Sequence, residues 1–175
     1  MRRTLLTLSA ALLLSLSADA TPQVGRVMPR FAVNDLNGAR RTDQDLRGHW
    51  SIVFAMTDKD TAPALRSWWQ RVERSAPPGA QMYTFAALDL FPLIATSTVV
   101  SQARDSAPRS RWGRVFLSRD GSLAQQLGLP ESETPWVFVV APDGRVVESI
   151  HAPVTEAHAQ RVLNAVTPAV ADRRD

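Results

Sequence analysis

Two uninterrupted apolar runs of strand length constrain this chain more than any other feature. Trp50-Ser51-Ile52-Val53-Phe54-Ala55-Met56 and Trp136-Val137-Phe138-Val139-Val140 do not alternate between apolar and polar residues. A strand with one wet face alternates; a run without alternation has both faces buried, as in the centre of a sheet covered by helices on each side. The chain must therefore supply covering helices. Leu65, Trp68, Trp69 and Val72 fall at i, i+3, i+4 and i+7, one face of a helix. Asp60 or Thr61 can cap its start, and Pro63 sits in its first turn, where proline is tolerated. Ser75-Ala76-Pro77-Pro78-Gly79 ends it. Adjacent residues diverge by roughly 100° on a helix, which predicts one of the Trp68 and Trp69 indoles in the core and the other partly exposed.

The remaining segments fall into the same rhythm. Residues 24–31 read as an extended lead-in, Asn34-Asp35-Leu36-Asn37-Gly38 as a turn, and Thr42-Asp43-Gln44-Asp45-Leu46 as a capped helical turn ended by Gly48. Residues 80–88 form a second strand; 98–107 can be a helix between the bends at Pro92 and Pro108. Val115-Phe116-Leu117 is a short strand, and Asp120-Gly121 turns into a short helix over 122–127 closed by Gly128. Pro142-Asp143-Gly144 is a hairpin turn with its returning strand over 145–150, and Thr155 caps a last helix over 156–166. A βαβ unit followed by a ββα unit predicts an α/β three-layer sandwich: a mixed central sheet, flanking helices and an N-terminal hairpin extension.

The first residues read as an address. Arg2-Arg3 precede an apolar run over 5–16, and Ala18-Asp19-Ala20 offers the small–x–small pattern of a signal-peptidase site. The run is too short for a permanent membrane span. Arg2-Arg3 lacks the preceding Ser or Thr of a twin-arginine signal, which favours the general secretory route. The expectation is a signal peptide over 1–20 cleaved near Ala20, a folded domain over 21–166, a flexible tail over 167–175, and a periplasmic location. No cysteine follows the cleavage site, so no lipid anchor is expected.

Among 175 residues there is no cysteine. That count removes disulfide frameworks, Cys-ligated zinc, iron–sulfur clusters and thiol catalysis. The net charge is +3, and Lys59 is the only lysine among 20 basic residues. The arginines are scattered, so no nucleic-acid footprint is assigned.

The order of motifs resembles a known family. Thr134-Pro135 before the run Trp136–Val140, and Asp143-Gly144 after it, are similar to the C-terminal half of thioredoxin-like redoxins of the AhpC-TSA type. Met28-Pro29-Arg30-Phe31, the turn Asp43 to Gly48 and the run Trp50 to Phe54 are similar to their N-terminal half, so the resemblance covers about residues 25 to 166. It implies a thioredoxin-like sandwich with Pro135 cis. It also places the family's thiols just after the first central strand, at positions held here by Lys59 and Ala62. Neither can act as a thiolate. The signal peptide, the long stretch between the second and third central strands, and Trp112-Gly113-Arg114-Val115-Phe116 most resemble periplasmic, cysteine-poor YtfJ-type proteins.

The resemblance implies a redox-inactive, exported protein that binds an unidentified protein or peptide partner by strand addition in a groove. That groove comprises Asp58, Lys59, Asp60, Thr61, Thr134, Pro135 and Trp136. The dull alternatives are that Asp58–Thr61 is a solvated capping loop and that Trp136 merely packs. Other readings are a redoxin-class oxidoreductase or antioxidant enzyme working through a non-thiol group, or a structural accessory domain. No catalytic residue, cofactor or metal ligand is assigned. Asp58, Asp60 and Asp89 lack the rhythm of a calcium loop. His49, His151 and His158 lack metal-ligand spacing and are expected in surface or capping roles.

Overall fold

The structure, a computed structural model, describes residues 21–93 and 95–166. The expected signal peptide and C-terminal tail lie outside the described residues. Seven strands form one sheet: β1 (Ala32–Asp35), β2 (Arg40–Thr42), β3 (Ser51–Met56), β4 (Gln81–Ala87), β5 (Val115–Ser118), β6 (Trp136–Val140) and β7 (Val146–His151). Their spatial order is β2-β1-β5-β4-β3-β6-β7. The β3–β4 and β4–β5 pairs are parallel and all others antiparallel. Among the described residues four α-helices accompany them: α1 (Ala62–Glu73), α2 (Thr96–Asp105), α3 (Ser122–Gln126) and α4 (Glu156–Val166). This is the predicted mixed α/β sandwich with its N-terminal hairpin, β1–β2.

The two apolar runs do what their lack of alternation requires. On β3, Val53 and Ala55 point into a core with Phe31, Phe85, Phe116 and Phe138. Ile52 and Phe54 point the other way, into a core shared with Trp68, Val72, Val162 and Leu163 of α1 and α4. Each fully buried side chain of this size contributes about 1.5–3 kcal/mol, so these two strands anchor both layers at once.

Three local expectations need correction. Both indoles of α1 are buried: Trp68 donates Nε1–H to Ala152 O, and Trp69 tilts against Phe54 beneath the Arg111 guanidinium. Arg111 comes from a segment distant in sequence and roofs a side chain that helical periodicity alone leaves half outside. Thr61 does not cap α1 with its side chain; its hydroxyl is drawn to Ser132 O instead. Finally, every peptide bond among the described residues is trans, Thr134–Pro135 included. The approach to β6 is held by Ser132, whose hydroxyl accepts from Thr134 N–H at 3.0 Å, and an X–Pro bond keeps its trans preference of about 0.5–1 kcal/mol where nothing opposes it.

Candidate functional site

β3 and β6 are antiparallel neighbours, with Ala55 opposite Trp136. The segment leaving β3 therefore lies beside the segment entering β6. This register brings residues 57–61 and 130–136 to one end of the sheet, so all seven of the residues singled out above share that edge.

Hydroxyl groups lock the two segments together. Thr57 Oγ1 donates to Pro130 O at 3.0 Å and accepts from Ser132 N–H at 2.9 Å. Thr61 Oγ1 donates to Ser132 O at 3.0 Å. Both threonines are buried, where an unmade hydrogen bond costs about 1–3 kcal/mol. Ser132 is thus held by both its backbone groups. The Ser132 N–H is therefore already engaged, while its carbonyl keeps a second acceptor site.

Trp136 does not present a bare wall. It is buried, with Pro135; its indole packs near Phe138 and is covered by His151, ring centroids 3.6 Å apart and planes 5° from parallel. His151 Nε2 also lies 2.9 Å from Ser132 Oγ. What faces solvent is polar: Lys59, Asp60, Glu131 and Glu133 are exposed, and Asp58 and Thr134 half-buried.

Lys59 lacks the burial that a Schiff-base lysine needs. Its ammonium donates to both oxygens of Asp60 at 2.8 and 2.7 Å, and those bonds, with the Asp60 charge, push its pKa up. A Schiff-base lysine requires the opposite, a pKa lowered by burial. Asp58 accepts from Asp60 N–H at 2.7 Å and so caps the short 3-10 turn Lys59–Thr61. Ala62, at the second thiol position, opens α1. Among the described residues no group of three His, Asp or Glu side chains comes together as a metal site. Asp89 sits instead across from Asp120.

Two residues of this edge, Thr57 and Ser132, were not singled out from sequence, and His151 was expected only in a surface or capping role. The available signal was positional. Thr57 directly follows one apolar run, Ser132 precedes the other, and polar residues at the mouth of buried strands must find partners.

No protein-family model and no curated protein matches this chain by sequence. Solved structures match by shape. A proposed electron transfer protein from Aquifex aeolicus VF5 superposes with a TM-score of 0.60 at 13% identity, covering 83% of this chain and 95% of that one. MTB dsbF, solved in mixed oxidized and reduced forms, gives 0.56 at 15%, covering 83% and 100%. BsSco, of the Sco family of cytochrome c oxidase assembly proteins, gives 0.57 at 12%, covering 81% and 94%. The fold is thioredoxin-like. The chain carries it without any cysteine.

Proposed function

We propose that this chain is an exported, thiol-free thioredoxin-fold protein that works by holding a protein or peptide partner at the edge formed by Asp58–Thr61 and Thr134–Trp136. The observation that carries this reading is the cross-locking of the two segments by Thr57 and Thr61. It makes a pre-organised platform, and pre-organisation lowers the ordering cost of binding. Nothing on the platform can replace a thiolate. Its exposed charges are mainly acidic, Asp60, Glu131 and Glu133 against Lys59, with half-buried Asp58 beside them, so the partner segment is basic or polar. The signal-like residues 1–20 support a periplasmic setting, and the stretch between β4 and β5 supports a YtfJ-type character.

A photo-crosslinking residue at Glu133 tests this in the cell. The expected result is one stoichiometric adduct, absent when the label sits at Gln160 on α4 and lost in Thr134→Arg or Asp60→Arg with the melting temperature unchanged. Equal adducts at both label positions, or an adduct indifferent to both variants, would overturn the proposal.

A further inference from the structure

Beside β5, which β4 separates from β3, Arg104 of α2 and Arg119 beyond β5 flank a cavity of about 150 Å³. Its apolar surface comes from Leu36, Val99, Val100 and Leu117. Both arginines are half-buried, and among the described residues neither is ion-paired. The larger depression between α1 and α4 differs in this respect, since Arg71 there is held by Glu156.

The two guanidiniums are fixed in place without being neutralised. Arg104 donates Nε–H and Nη2–H to Leu36 O at 2.9 and 2.6 Å while stacking on Trp112. Arg119 donates to Thr96 Oγ1 at 2.9 Å and to the carbonyls of Phe91 and Pro92 at 3.3 and 3.2 Å. All of these acceptors are neutral, and a guanidinium has five N–H donors in a planar fork suited to a carboxylate. Asp35 also lines the cavity, but its charge is already met by Arg41 at 2.9 Å and by the amides of Asn37 and Ala39. Phe91 and Leu93, 68% and 86% exposed, stand on the segment Arg119 holds and continue the apolar surface outward.

We infer that this cavity binds an aliphatic carboxylate, its charged end between Arg104 and Arg119 and its chain against Leu36, Val99, Val100 and Leu117. A cavity of ~150 Å³ takes up an apolar group about the size of benzene, which suits a chain of about six carbons. The carboxylate is either that of a free short-chain acid or the C-terminus of a peptide ending in an aliphatic residue.

Amide NMR titration of the full chain with hexanoate distinguishes these outcomes. Saturable shifts are expected for residues 34–38, 96–100 and 117–119, with hexan-1-ol at least ten-fold weaker because it lacks the charge. Arg119→Gln should weaken hexanoate about ten-fold and leave hexan-1-ol unchanged. Val99→Phe should fill the cavity and abolish both, with amide dispersion elsewhere confirming the fold. A blocked tripeptide ending in leucine carboxylate that binds tighter than hexanoate, with its amide inactive, assigns a chain terminus; weaker binding assigns a free acid. No saturable shift with either probe, equal binding of hexanoate and hexan-1-ol, or an indifferent Arg119→Gln would overturn the inference. None of these results bears on the Thr134 edge.

Discussion

The imidazole of His151 lies flat on the indole of Trp136, and its Nε2 meets the Ser132 hydroxyl that also caps Thr134 N–H. One side chain at the end of β7 therefore covers the residue that opens β6 and steadies the turn before it. His151→Ala should cost about 1–2 kcal/mol, from lost ring contact and one lost hydrogen bond. His151→Phe should recover the ring contact alone. Urea midpoints of the two variants separate the contributions; equal losses would mean the stack contributes nothing.

Thr57 carries the cross-lock. Thr57→Val keeps the shape and removes a buried hydroxyl that serves two backbone groups, the carbonyl of exposed Pro130 and the N–H of half-buried Ser132, so a loss of about 1–2 kcal/mol is expected. Hydrogen exchange at Ser132 should accelerate, with β4 unchanged. Unaltered exchange at Ser132 would show that the loop is held by something else.

His49 is expected to make the fold acid-sensitive. Burial lowers its pKa, and its Nε2 lies 3.0 Å from Tyr83 Oη, whose own proton is directed to Gln81 Oε1 at 2.8 Å or Asp45 O at 3.2 Å. It is the burial of the ring, and not this contact, that makes the folded state favour neutral imidazole. With the folded pKa below the unfolded value of about 6.5, stability is full above that value and falls as pH drops through the window beneath it. Denaturant unfolding should show this slope in the wild type and a flatter one in His49→Gln.

Asp120 acts at lower pH. One oxygen, Oδ1, accepts from the hydroxyls of Ser122 and Ser118 and from Ser122 N–H, at 2.6, 2.7 and 3.1 Å. These bonds, the Ser122 hydroxyl first, lower its pKa to about 2. Its stabilisation is present above the unfolded carboxylate pKa of about 3.9 and is lost as pH falls from there through about 2. Carboxyl NMR titration should find the depressed value in the wild type and a higher one in Ser122→Ala.

The layer structure was legible in sequence because it rests on local periodicity. The run from Ile52 to Met56 feeds two cores, and the spacing of Leu65, Trp68, Trp69 and Val72 defines the buried face of α1. What escaped depends on contacts between distant segments. Trp69 is enclosed by Arg111, Trp136 is covered by His151, and Thr61 turns from its own helix to Ser132. The trans geometry at Pro135 belongs to the same class, since Ser132 and its two threonine partners shape that turn. The structure brings the site residues to one edge, yet which of them face solvent is decided by His151, which the sequence placed only in a surface or capping role.

The central claim is that this thioredoxin-like scaffold operates without electron transfer at its Lys59–Ala62 positions. Dithiol-driven insulin reduction and hydroperoxide consumption, measured on the purified chain, test it most directly. Rates at the buffer background, identical in wild type and Lys59→Met, are predicted. Saturable turnover that Lys59→Met or Thr134→Arg abolishes would contradict it.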